Sequence, residues 1–333
     1  MIPAPSRVSR PWLWLPSKLA HDMAPIFMPL MVSIYRPKNK KWRSFSWKGL
    51  HFDNPMGIAG GVDKTGKCLN SWAALGAGFV EVGTVTPEPQ KANPGKIMDR
   101  DISNRALWNK MGFPNPGIKS VKRQIRKYYG QQVPLFVNVG KNRWTENDQA
   151  FEDYGRCMEA LKDYADVFVV NLSSPNTKGL RDLLDKVHLK LFLHNLTEKI
   201  KFLKITQPIL LKLSPDMEEQ ALVDTLETSC DYVDGWILTN TTKSRYIGSP
   251  FNTKEGGVSG EPLKLLSMDA LKVAGKFKKA HPEKLLVSVG GITTDLDVIH
   301  RLEMGADLVQ CYSSLVFEGP GFFQKRLKGL AGK

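Results

Sequence analysis

Eight short apolar runs, each followed by a stretch with helical periodicity, fill the chain from residue 50 onward. The runs lie at 56–59, 79–83, 135–139, 167–170, 209–213, 236–238, 285–289 and 308–311. They are rich in β-branched and aromatic residues and bounded by turn formers, the pattern of strands buried on both faces. The stretches at 68–75, 118–129, 150–164, 189–203, 218–228, 265–279, 295–303 and 322–330 space their apolar residues for one buried helical face. Parallel neighbours need a long crossover, which a helix supplies. Eight such units predict an α/β chain closed into a (β/α)8 barrel, the TIM-barrel architecture. At 333 residues the chain has room for two average domains, but no Pro- or Ser-rich linker divides it. Residues 39–333 are therefore read as one barrel and residues 1–38 as a small N-terminal helical appendage.

Polar residues gather at one end of these strands. In chain order the carboxyl ends carry Gly60-Gly61-Val62-Asp63-Lys64, Gly83-Thr84-Val85-Thr86-Pro87, Asn138-Val139-Gly140-Lys141-Asn142 and Asn171-Leu172-Ser173-Ser174-Pro175-Asn176. Lys212-Leu213-Ser214-Pro215-Asp216, Thr239-Asn240-Thr241-Thr242, Gly290-Gly291-Ile292 and Tyr312-Ser313-Ser314 continue the series. Any one of them reads as a turn, and the hydroxyls after Asn171 as a helix cap. Together they define one face of a barrel, the carboxyl end, where such folds bind ligands.

Two ligand groups are indicated. Gly257-Val258-Ser259-Gly260, Gly290-Gly291 and Tyr312-Ser313 bracket strands seven and eight, where barrels hold phosphate through backbone N–H groups. Glycine lets the backbone approach an anion closely. The rest of the pocket offers Asn138, Asn171, Thr239 and two lysines, Lys64 and Lys212. A buried lysine needs a negative partner, and the simpler alternative is a cation that reaches solvent from the strand end.

Composition excludes several classes. The four cysteines are far apart and lack CxxC or His-pair spacing, so neither a metal site nor a disulfide framework is expected. None of the six histidines falls in a strand-end cluster, so no histidine base is expected. The net charge of +14 asks for an anionic partner or a basic solvated face. No basic run interleaved with aromatics is present, so nucleic acid is not expected.

The first 38 residues differ in kind. Ser17 is placed to cap a helix through Leu19, Met23, Phe27, Leu30 and Ile34, with Pro25 and Pro29 predicting two short helices or a kink. The apolar stretch is too short to span a bilayer, which takes about 20 residues. Apolar Trp, Met and Phe beside Arg36, Lys38, Lys40, Lys41 and Arg43 suit an element lying on an anionic membrane surface; a plain cap on the barrel is the alternative.

The residues 171–181, Asn109-Lys110-Met111-Gly112-Phe113, Gly83-Thr84-Val85-Thr86-Pro87 and Thr239-Asn240-Thr241-Thr242 together resemble the dihydroorotate dehydrogenases. The likeness runs from about Leu19 to Pro320 in the same order and spacing. Serine at position 174, where soluble members carry cysteine, and the N-terminal helical segment resemble the membrane-associated, quinone-reducing class. The resemblance implies oxidation of dihydroorotate to orotate in pyrimidine biosynthesis, with FMN as hydride acceptor and a membrane quinone as final oxidant. It implies FMN contacts at Gly60, Gly61, Val62, Asp63, Lys64, Thr84, Asn138, Asn171, Lys212, Thr239, Gly260, Gly291, Tyr312 and Ser313. Dihydroorotate would meet Lys64, Asn109, Lys110, Met111, Gly112, Phe113, Asn171, Asn176, Asn240 and Thr241, with Ser174 as the base and Arg100 facing the quinone. Gly60 departs from the usual alanine and Lys110 from the usual arginine. A monomer, peripheral on the cytoplasmic face of the inner membrane, is the matching expectation. Alternatives are a soluble member using fumarate or NAD, a related flavin barrel acting on tRNA uridines, and a non-enzymic phosphate-binding barrel. The tRNA-directed barrel would need a cysteine acid and an RNA-binding extension, and neither is present.

Overall fold

The computed structural model describes residues 10–127 and 133–331. Eight parallel strands close into a barrel: β1 (Met56–Asp63), β2 (Phe79–Val85), β3 (Leu135–Val139), β4 (Val167–Asn171), β5 (Ile209–Leu213), β6 (Gly235–Leu238), β7 (Leu285–Val289) and β8 (Leu308–Cys311). Closure comes from β8 pairing in parallel with β1. Helices Leu69–Ala74, Gly117–Lys127, Ala150–Leu161, Lys186–Phe202, Glu219–Ser229, Lys264–Lys278, Asp295–Glu303 and Phe322–Leu330 form the outer ring. Every run read as a strand is one. The expected end of the second helix, at Tyr128 and Tyr129, lies outside the described residues.

Strand alternation sorts the side chains. One set packs outward under the helices; the other, including Phe79, Phe136, Val169, Leu210, Ile237, Val287 and Leu308, fills the barrel. A hairpin that the sequence reading did not anticipate, Phe45–Trp47 with Leu50–Phe52, closes the amino end. Its Phe52 ring stands edge-on to Phe79 and Phe136, with centroids 6.0 and 6.3 Å away.

At the other end lies a three-stranded antiparallel sheet, Met98–Asp101, Ala106–Asn109 and Gly257–Gly260. Residues 257–260, expected as part of a phosphate loop, are thus an edge strand paired with Ala106–Asn109. Close approach explains the glycines there: a Cβ on Gly257 would lie 1.9 Å from Thr241 Oγ1, and one on Gly260 2.0 Å from the Arg105 carbonyl oxygen.

The N-terminal segment also differs from expectation. Ser17–Tyr35 is one continuous helix, and its N-cap is Pro16, with no side chain capping it. Pro25 and Pro29 are four residues apart and both exposed, so neither ring disturbs the packed side of the helix. Met28 is buried, while Val32 and Tyr35 pack against the core. No helix among the described residues is long and apolar enough to cross a membrane.

Candidate active site

The barrel alternation carries polar groups inward above the apolar layer. Two residues after inward Phe79, Phe136, Val169, Leu210 and Leu308 come Glu81, Asn138, Asn171, Lys212 and Gln310, all buried. Glu81 is the hub. Its Oε1 accepts hydrogen bonds from Lys212 Nζ at 2.9 Å and Asn138 Nδ2 at 2.5 Å, and its Oε2 from Gln310 Nε2 at 2.5 Å. The negative partner that a buried Lys212 requires is therefore Glu81, which sequence reasoning missed together with Gln310. Gly60 makes room for that carboxylate: a Cβ there would meet Glu81 Oε1 at 2.3 Å. Its backbone is not in the left-handed region, so the role is spatial rather than a loosening of the loop.

Above this hub the amides interlock. Asn171 Nδ2 donates to Thr84 Oγ1 and Asn138 Oδ1 at 3.1 and 3.2 Å, and its Oδ1 accepts from Ser173 Oγ at 2.9 Å. Asn240 Nδ2 donates to Ser173 Oγ at 3.0 Å, and Tyr154 holds the Asn171 carbonyl at 2.8 Å. Thr239 is fixed by its N–H on the Val289 carbonyl. Ser174 is buried on the loop after β4, and its Oγ accepts the Asn176 N–H at 3.2 Å. Asn176 Nδ2 in turn donates to Asn109 Oδ1 at 2.8 Å, tying this loop to the small sheet. Met111 is buried, Gly112 gives its carbonyl to Gln90, and the Phe113 ring lies close to Gly140. Lys110 instead turns outward to an exposed ion pair with Glu255.

At the end of β1, Asp63 and Lys64 take different parts. The Asp63 carboxylate accepts N–H bonds from Thr65, Gly66, Lys67 and Cys68, so its side chain organises the loop. Val62 packs against the core. Burial pulls Lys64 down to about 8, with Asp22 opposing that shift and Lys18 adding to it. Its Nζ lies 3.3 Å from His21 Nε2, a residue of the N-terminal helix. A histidine therefore does reach the strand-end cluster, from outside the barrel. Burial and the Lys64 charge hold His21 down at about 4, so the neutral ring accepts from the ammonium and turns Nδ1–H toward Asp22.

Gly61, Gly291, Tyr312 and Ser313 lie together at the β7–β8–β1 side. The Tyr312 hydroxyl is 3.5 Å from the Gly61 carbonyl, and burial pushes the phenol up to about 12. Asn176 Oδ1, Thr177 Oγ1, Thr241 Oγ1 and Gln310 Oε1 are buried without a hydrogen-bond partner. Buried polar atoms are nearly always satisfied, so this cluster is suited to a polar ligand. A flat ring with carbonyl and N–H edges fits the amide and lysine groups, and a phosphate fits the glycine backbone of 290–291. Among the described residues no group of His, Cys, Asp and Glu is arranged to hold a metal ion.

A family profile described as Dihydroorotate dehydrogenase matches residues 44–333. The chain belongs to the dihydroorotate dehydrogenase family. A dihydroorotate dehydrogenase (quinone) of Christiangramia forsetii is 43% identical over 279 residues, covering 83% of this chain and 81% of that protein. One from Roseiflexus sp. strain RS-1 is 38% identical over 336 residues, covering 97% and 92%. A crystal structure of the Eimeria tenella enzyme in complex with ferulenol superposes with a TM-score of 0.84 at 31% identity, covering 94% of this chain and 90% of that one. Members of this family are flavin-dependent oxidoreductases.

In this member Arg100 is engaged by the N-terminal segment: its Nη2 donates to the carbonyls of Trp12 at 3.2 Å, Leu13 at 3.1 Å and Leu15. Trp12 is itself anchored, with Nε1 donating to the Val316 carbonyl at 2.7 Å. Beside Arg100 opens a cavity of about 450 Å³, lined by Leu13, Trp14, Pro16, Ile97, Met98 and Ile102 among others.

Proposed function

We propose that this protein oxidises (S)-dihydroorotate to orotate with FMN as hydride acceptor and a membrane quinone as final acceptor, the redox step of de novo UMP biosynthesis. The observation that carries the reading is the gathering of Ser174 with the amides of Asn109, Asn171, Asn176 and Asn240 at one mouth of the barrel. FMN, when bound, would supply the two-electron chemistry: an acceptor for the hydride from C6 of the substrate and a donor to the quinone. Thr84, Asn138, Asn171, Lys212 and Thr239 would hold its ring, and Gly260, Gly291, Tyr312 and Ser313 its phosphate end.

The chain's own residues do the rest. Lys64 offers a desolvated ammonium to the substrate carboxylate. Asn171, Asn176, Asn240 and Thr241 supply donors and acceptors for the ring edge. Ser174 removes the C5 proton. A hydroxyl is a weak base, and no carboxylate or imidazole among the described residues touches it. The Asn176 N–H directed at its Oγ favours the oxyanion, and a relay through the buried Thr177 hydroxyl or a water would carry the proton from Ser174 on to solvent. Glu81 holds the Lys212 ammonium in a fixed position under the ring site.

The N-terminal helix serves the second half-reaction. Trp14, Leu19, Ile26, Phe27, Leu30 and Ile34 are exposed, and the cations of residues 36–43 follow them. Such an element lies in a lipid interface and draws anionic headgroups, making a peripheral monomer on the cytoplasmic face of the inner membrane. Met28 is the exception on this helix and is part of the core. Orotate formation with a short-chain quinone, compared with fumarate and NAD, tests this reading. Turnover with fumarate or NAD but not with quinone would move the protein to the soluble class.

A further inference from the structure

Arg301, in the helix Asp295–Glu303, is only 1% exposed. Buried guanidinium groups ordinarily meet a carboxylate. Here the fork is spent on neutral oxygens: Nη1 donates to Ser288 Oγ at 2.7 Å, and Nη2 to Ser267 Oγ at 2.8 Å and the Gly290 carbonyl at 2.5 Å. Asp297, the acid that acts on it, is occupied by Lys264 at 3.2 Å and by the N–H groups of Thr293 and Thr294. The cation thus stands behind the turn 290–291 with its charge uncompensated by an ion pair among the described residues.

The turn is held with care. Ser267 Oγ, whose single proton is shared between the Gly290 and Lys264 carbonyls, each 2.9 Å away, adds a second contact to the Gly290 carbonyl. In a planar trans peptide the carbonyl of one residue and the N–H of the next point opposite ways. Gripping the Gly290 carbonyl inward therefore aims the Gly291 N–H outward, away from Arg301 and Ser267. The turn has no slack: Gly290 and Gly291 have φ of +127° and +67°, and a Cβ on Gly291 would meet Lys264 Cβ at 2.6 Å.

We propose that Arg301 is the positioning residue of the phosphate subsite, orienting the Gly291 N–H toward the anion and lending it a buried positive charge. This rests on the flavin reading above and adds to it a residue that never touches the ligand. The test compares FMN with riboflavin, which has the same ring and no phosphate, by titrating each into deflavinated protein. In Arg301→Met, FMN affinity falls roughly 10- to 100-fold, the range of one charge-assisted hydrogen bond, while riboflavin affinity stays within about threefold. The ³¹P resonance of bound FMN shifts. Arg301→Lys keeps the cation, loses the fork and recovers part of the FMN preference. Equal loss for both flavins, or an unchanged FMN-to-riboflavin ratio, overturns the proposal. Should the methionine variant not fold, the ratio in the lysine variant decides, and an unchanged ratio again overturns it. A wild-type protein that takes up neither flavin overturns the flavin reading itself.

Discussion

Replacing Glu81 by glutamine isolates the buried charge at the heart of the barrel. The side chain keeps its shape, and Gln310, whose Oε1 lacks a partner, is able to flip and accept from the new amide. What is lost is the anion facing Lys212, a pair with side-chain exposures of 5% and 0%. Leaving one member of a buried pair alone costs about 3–5 kcal/mol. Unfolding entropy of about 2.1 cal/mol/K per residue gives ~0.7 kcal/mol/K for a chain of this size. The melting temperature of the deflavinated protein should therefore drop by about 4–7 °C. Lys212→Met alone should cost a similar amount, because it strands Glu81. The double variant should recover much of the loss, since replacing both charges of a buried pair is often neutral. Thermal and urea melts of the four proteins complete the cycle. A Glu81→Gln loss below about 1 kcal/mol, or a double variant no better than the singles, would refute the assignment of a single buried ion pair as the hub.

Three further outcomes follow from the site. Ser174→Ala should retain flavin but slow its reduction by dihydroorotate by about 10²- to 10⁴-fold in stopped flow; unchanged reduction would remove Ser174 as the base. Orotate binding should be flat below the Lys64 value of about 8 and weaken above it as the ammonium deprotonates, by about tenfold per unit. His21, held down at about 4, stays neutral across that range and adds no step; affinity that stays flat to about pH 9 would contradict the carboxylate contact. Deleting residues 1–36 should abolish quinone reduction or solubility more than flavin binding, with vesicle flotation and quinone turnover as the readouts.

The architecture was legible because each strand is a short apolar run between turn formers, and closure follows from the count. Ser174 and the asparagines were legible because uncharged polar residues clustered at strand ends. Glu81 was not, because it sits inside β2 among apolar neighbours and reads as an interruption. Its signal was parity, two residues beyond inward Phe79 and matching Lys212 beyond Leu210. That Gly257–Gly260 form an edge strand was not legible, because glycines needed for close backbone contact look the same in sequence as glycines that cradle an anion. His21 was set aside because its closeness to Lys64 exists only once the helix docks across 43 residues of chain. The continuous helix through Pro25 and Pro29 escaped because propensity counts the missing donors and ignores the packing of Met28, Val32 and Tyr35.

An anaerobic visible spectrum of the purified protein tests the central claim most directly. Dihydroorotate should bleach the flavin bands and a short-chain quinone should restore them. A spectrum with no flavin absorbance, even after FMN is added, or a flavin that dihydroorotate leaves oxidised, would contradict the account.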